Sequence, residues 1–160
     1  MRALLNGEID LSLGIESTFK YHGDIEYRVL YQYKICVVCS FDHPLAAKSW
    51  VCPRDIMNQD MVLLSPNFGR DFYRGFMEAC RLDGFKPRVK KMVDTLDELI
   101  FEVSIGAGIA IVSRDVVRDT EVKVLDLKNS HHVSRYVLAY LKGHLDQFVR
   151  QFVKEVEENF

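Results

Sequence analysis

Apolar residues occupy every odd position from Ile9 to Ile15, with Asp10, Ser12 and Gly14 between them. A period of two marks a strand with one covered face. A polar loop at residues 16–24 follows, carrying Ser17, Thr18, His22 and Gly23. Residues 25–40 then read as one extended segment that ends in Ile35-Cys36-Val37-Val38-Cys39. Such an unbroken apolar run suits a strand covered on both faces. Pro44 interrupts the pattern, because proline gives no amide hydrogen to a ladder. Further strands are expected at 60–64, 89–93, 109–112, 122–127 and 133–141. Between them the period changes to that of a helix. Phe72, Phe76 and Cys80 share one face of residues 70–82, which Gly84 and Pro87 close. Thr95 opens a second helix that ends near Gly106, and Leu145, Phe148, Val149, Phe152, Val153, Val156 and Phe160 line one side of a last helix. Strands alternating with helices predict an α/β protein with parallel or mixed sheets and right-handed crossovers.

One phrase occurs twice. Val103 to Val112 reads as a helix end, a glycine break at Gly106 and a buried strand, and Ala3 to Leu13 repeats it around Gly7. Two α/β lobes are implied. Only a few residues precede Gly7, too few for a self-supporting helix, so the chain is expected to begin partway through the first lobe. No flexible linker divides the sequence. The long extended segments at 27–40 and 133–141 are therefore the expected crossing points between lobes.

Composition narrows the function classes. Hydrophobic residues make up 48% and charged residues 28% of the 160 positions, ordinary values for a globular chain with a sizeable core. The net charge of −2 argues against a broad nucleic-acid footprint. The densest basic stretch, Lys86 to Lys91, alternates its charges across a strand and reads as a solvated edge. No apolar run approaches the length of a membrane span and no signal-peptide pattern opens the chain, so the cytoplasm is the expected compartment. Cys36 and Cys39 have C-x-x-C spacing, yet residues three apart on a strand face opposite ways. Buried reduced thiols are expected, with no metal and no disulfide.

A catalytic set is not legible. No G-x-S-x-G elbow is present, and none of His22, His43, His131, His132 and His144 sits in a sequence setting that implies a base beside a nucleophile. His131-His132 reads as an exposed loop or strand end rather than a metal pair. Gly106-Ala107-Gly108 follows a helix and precedes a strand, the reverse of a dinucleotide fingerprint. The carboxylates of Asp94, Asp97 and Glu98 fit capping better than acid–base work, because Thr95-Leu96-Asp97-Glu98 matches the capping box. No cofactor is implied. Ligand chemistry is better placed at two turns. Ser65-Pro66-Asn67-Phe68 and Asp94-Thr95 each follow a strand and precede a helix, where free helix amides collect polar ligands. From the first lobe, the turn after Ile15, with Glu16, Ser17 and Thr18, would face the same cleft.

Four phrases in order cover nearly the whole chain: Leu4 to Leu11, Phe41 to Ala46, Cys80 to Pro87 and Val103 to Ala110. Together they resemble the effector-binding domain of LysR-type transcriptional regulators. The resemblance implies a fold like a type II periplasmic binding protein, with two lobes joined by two crossing strands. It places residues 1–37 and 132–160 in one lobe and 38–131 in the other. It implies a small-molecule effector in the interlobe cleft, often an organic anion, contacted by Ile15, Glu16, Ser17, Thr18, Ser65, Pro66, Asn67, Phe68 and Thr95. It also implies self-association as a dimer or tetramer. The family's winged helix-turn-helix has no counterpart in the sequence, so DNA contact is expected only through that missing region. A solute-binding protein or transporter component of the same architecture is the alternative. An enzyme on this fold, such as a dehydratase depending on Thr95 or His43, is a third.

Overall fold

The computed structural model describes residues 1–118, 121–143 and 146–159. The chain divides into two compact units, Met1–Tyr33 with Ser134–Phe160, and Lys34–Val133. It passes between them twice, after Tyr33 and after Val133.

The first unit is a three-stranded antiparallel sheet in the order β1 (Leu11–Ile15), β9 (Ser134–Leu141), β2 (Ile25–Tyr33). The period of two in β9 divides its residues between two cores. Val137 and Ala139 join Leu4, Phe19 and Ile25 on one face. On the other, Leu138 and Tyr140 meet Val153 of α5 (Gln147–Asn159). The short helix α1 (Arg2–Leu5) supplies Leu4.

The second unit holds β3 (Ile35–Cys39), β4 (Trp50–Val51), β5 (Asp60–Leu64), β6 (Arg88–Val93), β7 (Ala110–Ser113) and β8 (Lys123–Leu127). Strands β4, β8, β3 and β7 form a mixed sheet, and β5 pairs in parallel with β6. Met61 bridges in parallel to Ile109, through the amide of Val62 on Ile109 O at 2.9 Å and of Ile109 on Asp60 O at 2.8 Å. That link sets the β5–β6 pair beside β7. One face buries Val37, Cys39, Met61, Leu63, Ile109, Ile111 and Leu125 under Phe76 and Cys80 of α3 (Arg70–Leu82). The other buries Cys36, Val38, Val62, Leu64, Ala110 and Val112 under Leu99, Ile100 and Val103 of α4 (Leu96–Ser104). A four-residue helix, α2 (Pro53–Ile56), adds Ile56 to the first of these cores. Each such aliphatic side chain, fully buried, contributes about 1.5–3 kcal/mol. The neighbours Cys36 and Val37 thus lie in different cores, as a run covered on both faces requires. Cys36 and Cys39 also face opposite ways, and the four cysteines are free thiols.

The repeated phrase folds the same way in both copies. Gly7 and Gly106 have φ of 70° and 82°. In each the next amide reaches back five residues, Glu8 N to Ala3 O at 2.8 Å and Ala107 N to Glu102 O at 3.0 Å. This is the left-handed glycine cap of a helix.

Three expectations change. Residues 25–40 are not one strand: β2 ends at Tyr33 and β3 begins at Ile35 in a different sheet. The divisions consequently fall at 33/34 and 133/134 rather than at 37/38 and 131/132, because Ile35 to Val38 pair with β7. On α5, Val153 is buried, but Phe148 and Phe152 are 83% and 50% exposed. The apolar stripe is wider than the sheet face that receives it. Leu145, Phe160 and His144 lie outside the described residues.

Candidate functional site

Strands β5 and β6 run in parallel, so their carboxyl ends bring Ser65 and Asp94 side by side. The Ser65 amide donates to Val93 O at 2.8 Å. The Ser65 hydroxyl, on a buried residue, donates to Asp94 Oδ1 and accepts the Asn67 amide at 3.1 Å. Asn67 Nδ2 approaches the two Asp94 carboxylate oxygens at 3.4 and 3.5 Å. Thr95 caps α4 as its sequence requires: Thr95 Oγ1 accepts the Glu98 amide at 3.2 Å, and Glu98 Oε2 accepts the amides of Asp94 and Thr95 at 3.1 and 3.2 Å. The amides of Leu96 and Asp97 have no acceptor within the helix, as for any first turn. Gly69 is the N-cap of α3 and offers its first turn no side-chain cap. Phe68 is exposed and packs edge-on against Phe72, ring centroids 5.4 Å apart. Ser65, Asn67 and Thr95 therefore meet at one end of the strands, and Asp94 joins them.

In the first unit Ile15 ends β1 and residues 16–18 form one 3-10 turn. Arg135 Nη1 lies 3.2 Å from each Glu16 carboxylate oxygen, and the Tyr27 hydroxyl donates to Oε1 at 3.1 Å. Burial, then the Glu16 charge, pushes the Tyr27 phenol up, so it keeps its proton. Glu16 is already satisfied by its own unit. Ser17 is the opposite case, since its Oγ is buried without a hydrogen-bond partner. Thr18 is exposed.

The two residues an enzyme reading required are both helix caps. His43 Nδ1 accepts the Leu45 amide at 3.1 Å, and burial lowers its pKa. Thr95 is engaged as described.

A family model, the LysR substrate binding domain, matches residues 1–160. The chain belongs to that family. Among curated relatives, this LysR domain is 31% identical over 120 residues to the HTH-type transcriptional regulator MetR of Escherichia coli K12, covering 74% of this chain and 36% of MetR. It is 28% identical over 122 residues to the transcriptional dual regulator GltC of Bacillus subtilis, covering 75% of this chain and 39% of GltC. The chain thus spans well under half of these relatives. Its fold matches the effector binding domain of QuiR in complex with shikimate, with a TM-score of 0.76 at 22% identity over 97% of this chain and 73% of that one. It also matches the BenM effector binding domain with benzoate, with a TM-score of 0.77 at 17% identity over 99% and 72% of the two chains. The LysR domain accordingly has the α/β fold of the type II periplasmic binding proteins.

Its sequence concealed one cluster. The Asp83 side chain is fully buried at the end of α3 and accepts from Ser130 Oγ at 2.6 Å and the His131 amide at 2.8 Å, with His131 Nδ1 at 2.6 Å. His131 is exposed, but His132 is not: its side chain is 6% exposed, against Phe76 and 3.5 Å from Cys80 Sγ. The expectation of an exposed pair fails at His132. Burial pushes the Cys80 thiol up to about 12 and brings His132 down to about 4. A protonated thiol beside a neutral imidazole is the wrong state for a nucleophile. Among the described residues, no group of three or more His, Cys, Asp or Glu side chains is arranged to hold a metal. An open cavity of about 620 Å³ along α4, lined by Asp97, Ile100, Phe101, Ser104, Val116, Arg118 and Glu121, contains none of the expected ligand residues.

Proposed function

We propose that this LysR domain is the sensory part of a transcriptional regulator and takes a small polar effector, with organic anions the first class to test. In this reading the effector touches Ile15, Glu16, Ser17, Thr18, Ser65, Pro66, Asn67, Phe68 and Thr95. One observation carries most weight: Ser65, Asn67 and Thr95 converge where two strand ends meet the N-terminus of α4. The unpartnered Ser17 hydroxyl supports a contact from the first unit. The curated relatives are regulators, which favours this reading over a solute-binding protein and over an enzyme. DNA contact would belong to a winged helix-turn-helix elsewhere in a longer protein. A cytoplasmic location accords with the lack of any helix, among the described residues, long and apolar enough to cross a membrane.

Thermal unfolding against a panel of organic acids tests the reading. A ligand at a hundred times its Kd adds about 2.7 kcal/mol and should raise Tm by several degrees. Ser65→Ala with Thr95→Val should weaken that ligand by at least about tenfold, the worth of one or two hydrogen bonds. A panel without a stabiliser contradicts the proposal. We also propose self-association as a dimer or tetramer, supported by exposed Phe101 on α4, Ile105 at its end, and Phe148 and Phe152 on α5. Light scattering at micromolar concentration should give at least twice the chain mass, and a monomer contradicts it.

A further inference from the structure

Two carboxylates, each within its own unit, hold the two ends of one crossover. The chain leaves the second unit after Val133. Just before that point, Asp83 grips Ser130 and His131 through the bonds described above. Just after it, Glu16 holds the guanidinium of Arg135, whose Nε also donates to Gln32 Oε1 at 3.1 Å. Gln32 is the register partner of Arg135 across β2 and β9 and precedes the other crossover by one residue, Tyr33. One guanidinium therefore ties residues beside both passes to the turn at residues 16–18.

Asp83 runs against local preference. It is the C-cap of α3, where the helix dipole disfavours an anion, and burial of a carboxylate without partners costs several kcal/mol more. The donors that offset this come from Ser130 and His131, 47 and 48 residues away. The same segment carries Asn129 with φ of 54°, the non-glycine residue with positive φ among the described residues. Backbone strain of this kind persists where surrounding contacts enforce it. On the far side, Glu16 and Arg135 side chains are only 13% and 35% exposed, so their charge-assisted bonds escape much of the screening that weakens surface pairs.

We propose that Asp83 and Glu16 are positioning residues that clamp residues 130–131 and 135, confining flexure of this crossover to the residues between, and that Glu16 couples the turn at 16–18 to it. The coupling half rests on the effector reading above; the clamp itself does not. Hydrogen exchange of the effector-free chain tests it. Asp83→Asn should speed exchange of the 129–133 amides at least tenfold while β5 and α3 keep their protection. Glu16→Gln should do the same at 16–19 and 134–136 but leave 130–131 unchanged. Ser130→Ala combined with His131→Ala removes the two side-chain bonds to Asp83, leaving the His131 amide, and should reproduce the first pattern in weaker form if Asp83→Asn does not fold. Unchanged exchange at 129–136, or a uniform rise over a whole unit, would overturn the clamp. Unchanged effector affinity in Glu16→Gln with these local patterns intact would instead count against the coupling and the effector reading alone.

Discussion

Gly108→Ala is expected to destabilise the second unit by about 3 kcal/mol, a large part of the 5–15 kcal/mol that holds a typical domain together. A Cβ at this position would lie 2.6 Å from Asp60 O, 3.0 Å from Asp60 C and 3.3 Å from Met61 N. These are backbone atoms, so no rotamer change relieves the clash. Asp60 O is also the acceptor for the Ile109 amide, and Ile109 O accepts the Val62 amide. Pushing β5 away breaks the two bonds that set it beside β7 and opens the cores around Met61, Val62 and Ile109, each fully buried. Gly23→Ala is the control, since nothing lies within 4 Å of a Cβ there. Urea midpoints of the two variants should separate clearly. Equal midpoints would mean that the β5–β7 approach is looser than the distances state.

Gly108 illustrates what the sequence could and could not disclose. The glycine break after α4 was legible from Gly106 because a helix stop has a local cause. The need for Gly108 was not, since the opposing carbonyl comes from Asp60. The same distinction runs through the fold. Strands β3 and β5 announced themselves because both of their faces are covered, which leaves no polar position in β3 and none in β5 after Asp60. The break at Lys34 left no trace, since β2 and β3 are both extended and differ only in which sheet they join. Periodicity marked the apolar side of α5 but not how much of it the sheet could cover, hence Phe148 and Phe152. At the candidate site, the Thr95 capping box was readable from four consecutive residues, and the strand-to-helix turns pointed to Ser65 and Asn67. Asp94 as their shared acceptor, Arg135 on Glu16, and Asp83 under Ser130 and His131 are contacts between segments distant in sequence. Side chains paired across 27 to 119 residues have no local signature.

His132 carries the second large effect. Burial between Phe76 and Cys80 lowers its pKa to about 4, overcoming the opposite pull of Asp83 4.0 Å away, and His131 lowers it further. The folded state therefore excludes a proton that the unfolded chain binds below the ordinary histidine value of about 6.5. Stability is complete above that value and falls as the pH drops toward 4, by up to about 1.4 kcal/mol per pH unit. Between pH 7 and pH 5 the loss should reach about 2 kcal/mol. Asp83 has the opposite sense of shift. Although burial raises its pKa, the bonds from Ser130 and His131 hold it below the ordinary carboxylate range, so its contribution is lost only in more acidic solution. His43, also lowered by burial, adds to the slope in the same direction and is common to wild type and variant. Urea unfolding of wild type and His132→Leu at pH 7 and pH 5 isolates the term. The wild type should lose about 2 kcal/mol more than the variant over that interval, and parallel losses would show that His132 takes up its proton without leaving the Cys80 pocket.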